Sequence, residues 1–336
     1  MTTTHGSDLM ILRELLAARG DWVSGTHLAG RLGVSRVAVW SHMNRLRREG
    51  FKFEAVRSRG YRLIARPKRL SQGLLHALLR IKLPDGAIAV MDEVDSTNSE
   101  AERRIAAGQS TPFAVFAAAQ TQGRGRFGRV WHSPDAGNLY ASFAFQPRVD
   151  PTRMQLFTLW MGVNLCEVLE SFFKITPAIK WPNDLLVSGR KVGGMLTEAR
   201  IDADRIRDLV FGLGLNVNAD TANWPRDVAR TAATLSSVTG TQVDINQLAA
   251  AVAGRVFVAF NAFIGGGFEP RLADLWSRYD ALRGVPVGVN HAGEITRGIA
   301  SGIDADGSLV VAIDSGRKAR FRAGEVTLEK GVRAGA

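Results

Sequence analysis

QTQGRGRFGRVW, residues 120–131, is the most informative stretch of this chain. Glycine and arginine alternate through Gly123, Arg124, Gly125 and Arg126, and Phe127, Gly128 and Arg129 follow. A glycine backbone can approach an anion closely and can take a positive φ. Three arginines supply forked donors that suit phosphate or carboxylate oxygens. A segment this flexible and cationic builds no core, so it predicts an anion-binding loop that orders around a phosphate-bearing ligand. On these residues alone, a solvated basic loop or an RNA-binding glycine-arginine segment is the alternative. No Gly-Lys-Ser/Thr follows, which excludes a Walker P-loop, and the spacing of the dinucleotide fingerprint is absent.

The flanking pattern is mixed α/β. Residues 114–119 read as an apolar strand feeding the loop, and residues 138–145 alternate as the next strand. Upstream, residues 88–91 read as a strand and residues 93–98 open a helix. Thr97 and Glu100 have the spacing of a capping box. Ser96 and Asn98 add small polar groups there, a good place to hold a polar part of a ligand. Residues 154–173 predict a long apolar helix. In Lys180-Trp181-Pro182-Asn183-Asp184-Leu185, a strand end carries Lys, Asn and Asp beside a proline. Asp184 could hold a magnesium ion and Asn183 could orient a polar ligand edge; an Asx turn explains the same residues. Gly189-Arg190-Lys191 makes a turn, and a strand follows over residues 192–198. Its adjacent Gly193 and Gly194 imply close approach of another group to the backbone. Lys191, at the strand entrance, can neutralise a phosphate or carboxylate, although a solvated lysine is commoner. Residues 209–218 predict a fourth strand, and residues 246–263 and 268–280 amphipathic helices.

A length of 336 residues predicts two to three domains. The net charge of +11 is unevenly placed: residues 1–70 hold 14 Lys+Arg against 5 Asp+Glu, the remainder 29 against 27. A basic small domain joined to a nearly neutral large one points to a polyanion partner for the first part only. There, three helices over residues 8–19, 24–32 and 35–49 precede two short strands at 51–55 and 61–64, with a hairpin at 57–60. Ser24 and Ser35 are placed to cap the second and third helices, and Gly50 to stop the third. Val39, Met43 and Leu46 share one face and should pack inward; Arg36, Trp40, Ser41, Asn44 and Arg47 or Arg48 face out. This is a winged helix-turn-helix whose third helix would enter the major groove. Ser35 and Arg36 would meet bases or phosphates, and Arg57 and Arg59 in the wing would reach the backbone. A small helical domain that binds only protein is the alternative. Residues 65–73 read as a polar linker. After residue 282 short strands at 285–289, 294–300, 309–313 and 319–322 predict a small all-β barrel.

The single cysteine, Cys166, lies in an apolar helical pattern and reads as core. The six histidines show no metal-ligand spacing, no run approaches the ~18 apolar residues of a membrane span, and residues 1–10 are no signal peptide. The expectation is a reducing cytoplasm and no membrane partner.

Together the motifs at 123–131, 180–184, 190–198 and 212–216 resemble the biotin protein ligases. With the winged helix in front, the chain resembles the bifunctional biotin ligase and biotin-operon repressor family over essentially its whole length. The resemblance implies a DNA-binding domain at 1–66, a class II synthetase-like mixed α/β catalytic domain at 74–282 and an SH3-like β-barrel at 283–332. It implies a carbon–nitrogen ligase that forms biotinyl-5′-AMP from biotin and MgATP and transfers biotin to one lysine of biotin carboxyl carrier protein. Ser96, Thr97, Asn98, Gln120, Arg124, Gly125, Arg126, Lys191 and Gly194 would bind biotin. Arg124, Arg126, Arg129, Trp131, Asn183 and Asn216 would bind the ATP or adenylate part. Arg126, Lys191 and Asp184 would be catalytic, with Asp184 on magnesium and Arg126 preventing leakage of the intermediate. The adenylate-bound protein would dimerise and set two winged helices on a two-fold operator, contacting it through Ser35, Arg36, Trp40, Ser41, Arg47, Arg57 and Arg59. Phe127 departs from relatives that carry a further basic residue there. A lipoate ligase, a biotin-sensing regulator without ligase activity, and a ligase that has lost DNA binding are the competing readings.

Overall fold

The computed structural model describes residues 6–84, 86–133, 137–313 and 316–328. The expected domain termini at 1–5 and 329–332 lie outside them. Two compact units are present, one reaching to Val90 and including Asp244–Ala251, the other holding the rest.

In the first unit three helices, α1 (Gly6–Ala17), α2 (Gly25–Leu32) and α3 (Arg36–Arg48), precede a hairpin of β1 (Lys52–Val56) and β2 (Gly60–Ala65). The Ser24 and Ser35 hydroxyls accept from the N–H groups of His27 and Ala38, so both predicted caps form. Val39, Met43 and Leu46 are fully buried against Ile11, Leu12, Leu15 and Leu28. Burying each such side chain contributes about 1.5–3 kcal/mol. Buried Asp8 joins α1 to α3 through His42 Nδ1 at 2.7 Å and Arg45 Nε at 2.8 Å. The stretch expected as a linker is more tied down than its composition predicts. Ser71 caps a short helix, α4 (Gln72–Leu78), whose Leu74 enters this core. Asn246 Oδ1 accepts from Ser71 N–H at 2.9 Å, and its Nδ2 donates to the carbonyls of Pro67 and Arg69.

The second unit is built on a seven-stranded sheet. Its strands are β3 (Ile88–Val94), β4 (Phe113–Gln120), β5 (Leu139–Phe145), β6 (Pro177–Lys180), β7 (Asp184–Val187), β8 (Arg190–Asp202) and β9 (Arg205–Leu215). The order is β3-β4-β5-β9-β8-β7-β6, antiparallel from β4 onward. Helix α5 (Thr97–Ala106) joins β3 to β4, and α6 (Met154–Phe173) joins β5 to β6. Short α7 (Arg226–Thr231) and α8 (Leu235–Thr239) lead to α9 (Ile245–Gly265) and α10 (Glu269–Tyr279). Phe143, Phe145, Phe157, Phe211, Phe257 and Phe263 form an aromatic core, mostly edge-to-face. Cys166 is buried within α6, as expected.

The expectation that no stretch approaches a membrane span is corrected. By length and composition, Pro151–Phe173 and Ile245–Gly265 are both apolar enough to cross one. Both instead pack against protein: Trp160 Nε1 donates to Ala259 O at 2.8 Å, and Phe145 stacks on Phe260. The capping box is also corrected. Ser96 is the N-cap of α5, and its side chain makes no capping bond. Glu100 turns to Arg103 and Arg104 instead, at 3.0 and 2.8 Å.

The C-terminal β region has five strands, one more than the sequence indicated. They are β10 (Pro286–His291), β11 (Glu294–Ile303), β12 (Leu309–Ala312), β13 (Lys318–Phe321) and β14 (Glu325–Leu328), ordered β13-β12-β11-β10-β14. The short β14 follows Gly324 and pairs antiparallel with β10.

Candidate functional site

The glycine-arginine loop is a folded hairpin, because its own backbone closes it. Gly125 N–H donates to Arg129 O at 2.7 Å, Arg129 N–H to Arg126 O at 3.2 Å, and Trp131 N–H to Gly123 O at 2.8 Å. Phe127 sits at φ 57°, exposed at the tip, with the Arg126 guanidinium 4.7 Å from its ring. The hairpin is held down at its far end by Trp131. That indole lies across Gly194 on β8 and Gly214 on β9, which are paired residues in the sheet. A Cβ on Gly194 would sit 2.9 Å from the ring and one on Gly214 2.6 Å from it. The two glycines therefore make the seat for the indole.

Beneath the hairpin is a cleft. Ser96, Thr97, Asn98, Gln120, Arg124, Gly125 and Arg126 line it, as do Arg129, Trp131, Asn183, Asp184, Lys191 and Gly194. All the expected ligand residues except Asn216 thus converge on one cavity. Asn216 lies just past β9; its N–H donates to Val192 O at 2.8 Å and its Nδ2 lies 3.5 Å from Lys191 O.

One end of the cleft is neutral and polar. Thr97 N–H donates to Gln120 Oε1 at 2.8 Å, and Thr97 Oγ1 lies 3.1 Å from the same oxygen. Gln120 Nε2 donates to Ser133 Oγ at 2.9 Å. Asn98 Nδ2 donates to Glu198 Oε2 at 2.6 Å, and Glu198 also holds Arg124 at 2.9 Å. The other end is charged. Lys191 Nζ is 2.6 Å from Asp184 Oδ1 and 5.1 Å from the centre of the Trp131 ring. Arg126 reaches Asn183 Oδ1 and Gly324 O, both at 3.4 Å, and Arg129 pairs with the Glu325 carboxylate. Asn183 Nδ2 donates to Met195 O at 2.8 Å. Burial pushes the Arg126 guanidinium below its ordinary pKa, opposed by Asp184. Burial also lowers the Lys180 ammonium, with Asp184 opposing and Lys191 adding to the shift. Four cations against Asp184 and Glu325 leave this end with an excess of positive charge, so it takes an anion.

Lys180, Ser142, Ser133, Glu198 and Glu325 were not singled out from the sequence. Lys180 lies opposite Asp184 across the β6–β7 turn and lines the cleft. Its signal was the motif it opens. Ser142 had a fainter one, as a lone hydroxyl in an otherwise apolar strand. No group of three or more His, Cys, Asp or Glu among the described residues could hold a metal.

The first unit carries its own candidate surface. Ser35, Arg36, Trp40, Ser41, Arg57 and Arg59 are all exposed, and Arg47 is half-buried with Nη1 donating to Asn44 Oδ1 at 2.7 Å. A groove runs between the start of α3 and the β1–β2 hairpin, lined by Arg36, Trp40, Arg57 and Arg59. Arg59 and Arg62 lie 4.8 and 5.0 Å from the Trp22 ring, which braces the hairpin. Gly60 is required there, since a Cβ would fall 2.1 Å from Val23 O.

Known proteins match the chain in both regions. The Biotin/lipoate A/B protein ligase family matches residues 90–216, an HTH domain residues 9–62, and the Biotin protein ligase C terminal domain residues 284–328. The Bifunctional ligase/repressor BirA of Bacillus spizizenii is 32% identical over 328 residues, covering 96% of this chain and 98% of that protein. This chain belongs to the bifunctional biotin ligase/repressor family. The Escherichia coli member of that family is also 32% identical, over 93% of this chain and 95% of its own. Among solved structures, biotin protein ligase from Aquifex aeolicus in complex with biotin and ATP has a TM-score of 0.62 at 28% identity. The match covers 73% of this chain and 99% of that one.

Proposed function

We propose that the cleft takes biotin at its neutral end and ATP at its cationic end and couples them. The biotin carboxylate attacks the α-phosphorus, pyrophosphate leaves, and biotinyl-5′-AMP forms. The ε-amine of a lysine on biotin carboxyl carrier protein then attacks the acyl carbon and releases AMP. The supporting observation is the convergence of a neutral hydrogen-bonding end and a cationic end in one cleft under the same arginine hairpin.

No protein nucleophile is needed, because the substrate carboxylate is one. The protein must hold two anions together and offset the charge that develops between them. Lys191 sits where it can do this once Asp184 shares it with substrate oxygens. Thr97, Asn98 and Gln120 present the amide and hydroxyl groups that suit the ureido end of biotin. Arg124 and Arg126 close over the carboxylate and adenylate, and Trp131 covers the adenine side, with Asn216 beyond it. Magnesium fits as an ion carried by the nucleotide phosphates with one protein carboxylate, Asp184, since magnesium keeps several waters and is rarely caged by protein. When bound, it would neutralise phosphate charge.

The basic first unit binds operator DNA through Arg36 and Trp40 on α3 and Arg57 and Arg59 in the wing. Adenylate acts as corepressor by favouring a homodimer whose two winged helices meet a two-fold site. The protein works in the cytoplasm, where its carrier and operator are.

Retention of labelled biotin on a carrier domain, with ATP and magnesium, tests the ligase. The wild type transfers label, Lys191→Ala loses roughly 10²–10³ in rate, and Arg126→Gly labels bystander lysines. A silent wild type would reduce the cleft to a biotin sensor. For the repressor, operator binding that ignores biotin and ATP would contradict the corepressor role.

A further inference from the structure

The outer face of α3 is apolar where it begins. Val37, Ser41 and Asn44 lie on that face at i, i+4 and i+7, with Trp40 beside them. They stand opposite the buried Val39, Met43 and Leu46. Val37 is 76% exposed and Trp40 58%. The first cation on this face is Arg48, about 16 Å further along the axis than Val37. The arginines on the flank of the helix turn elsewhere. Arg36 leans back toward α2, since a Cβ on Gly25 would lie 3.9 Å from its Nε. Arg47 Nη1 donates to Asn44 Oδ1 at 2.7 Å. Across the groove Val56 of β1 joins Val37 and Trp40, and Arg57 and Arg59 rim the same groove. A single exposed apolar side chain needs no explanation, but an apolar patch rimmed by charge marks a contact surface.

A winged helix sets this face against base edges, with the N-terminal residues of its third helix leading. Each base pair offers different chemistry there. Guanine shows two acceptors that suit arginine or lysine, adenine an acceptor and a donor that suit asparagine or glutamine, and thymine a C5-methyl group. Val37 can make no hydrogen bond, and the only polar atom of Trp40 is one N–H donor. Set against guanine or cytosine, they would strip water from polar edges and return little. Their favourable partner in the major groove is the thymine methyl. The arginine rim favours a polyanion over an apolar protein surface, which would desolvate those cations without pairing them.

We infer that Val37 and Trp40 set the sequence preference of the first unit by packing on thymine C5-methyl groups, so that the start of α3 selects T·A pairs over G·C pairs. The inference rests on the reading of this unit as a DNA-binding domain and adds what that domain reads. Arg36, Arg57 and Arg59 then supply affinity at phosphates without regard to sequence.

The test uses the full chain with biotin, ATP and magnesium. A duplex selected from a randomised pool is the probe, and each of its thymines is replaced in turn by uracil. Uracil keeps every hydrogen-bonding group and removes only the methyl. Anisotropy titration should show binding about fourfold weaker for each contacted methyl that is lost. In Val37→Ala or Trp40→Ala the thymine and uracil forms of the probe should bind within about twofold of each other at the position that residue covers, because the methyl and the side chain are lost as one contact. Arg57→Ala should weaken both forms alike and keep the discrimination. Retained affinity for the uracil duplex shows that a variant is folded. Should Trp40→Ala bind no duplex, Val37→Ser decides: lost discrimination supports the inference and kept discrimination overturns it. A selected site without thymine where α3 binds, or a wild type indifferent to uracil at every position, overturns it as well. A wild type that binds no duplex fails the DNA-binding reading itself and assigns the patch to a protein partner.

Discussion

Gly214→Ala should open the arginine hairpin without damaging the sheet. The new Cβ would lie 2.6 Å from Trp131 Cε2 and 2.7 Å from Nε1. Carbon atoms settle at roughly 3.5–4.0 Å, so the indole must move by about 1 Å. Overpacking of this size costs about 1–3 kcal/mol. Gly214 lies on β9, a central strand of the sheet, with β5 on one side and β8 on the other. The strand cannot yield, whereas the hairpin can lift. The cost therefore falls on hairpin docking, and the closed population drops by roughly 5- to 150-fold relative to open. If the ligand needs the closed hairpin, ATP affinity falls by up to the same factor as the closed state becomes minor. Calorimetric titration of ATP measures the loss, and the fluorescence difference against a Trp131→Phe variant reports exposure of the indole. A wild-type ATP affinity with an unchanged Trp131 signal would refute the reasoning. A collapse in Tm would also refute it, by placing the strain in the sheet.

Lys180→Met removes an ammonium whose burial is unfavourable, so Tm should rise by about 2 °C while KM for ATP rises about tenfold; a fall in Tm would show that the charge is held by its neighbours. Arg57→Ala should weaken DNA binding about equally for all sequences and lower the magnitude of the salt-dependence slope by about 1, as measured by anisotropy at several salt concentrations. Asp95 is drawn down from 3.8 to about 2, chiefly by Arg103. Its folded pKa is depressed, so its contribution is present above the unfolded value and lost as pH falls through the folded one. The stability gap between wild type and Asp95→Asn should therefore close between about pH 4 and pH 2, followed by denaturant titration at each pH.

Much of the fold was legible because its signals are local. The helix α6 emerged from a long, predominantly apolar stretch, and the caps Ser24 and Ser35 from hydroxyls placed just before helical periodicity. Where a residue's partner is distant, the local signal misled. Thr97 and Glu100 have capping-box spacing, but Thr97 Oγ1 is engaged by Ser142 and Gln120, so the box does not form. The polar segment before Leu74 reads as a linker because the Asn246 side chain that satisfies it is far away in sequence. Strand β14 is four residues long and gains its identity only by pairing with β10.

The chemistry divides in the same way. By itself the sequence determined which groups line the cleft, since arginines between glycines, a lysine at a strand entrance and small polar residues at a helix start have their character wherever they sit. Tertiary structure alone decided how those groups are aimed. The indole of Trp131 finds its seat only when Gly194 and Gly214 are brought into register on neighbouring strands. The Ser142 hydroxyl finds its two acceptors, Asn98 Oδ1 and Thr97 Oγ1, only when β5 packs on α5, and Glu198 on β8 turns the Asn98 amide to face it. Hydrogen-bond direction depends on the whole set of donors and acceptors within reach, and the folded chain is what assembles that set.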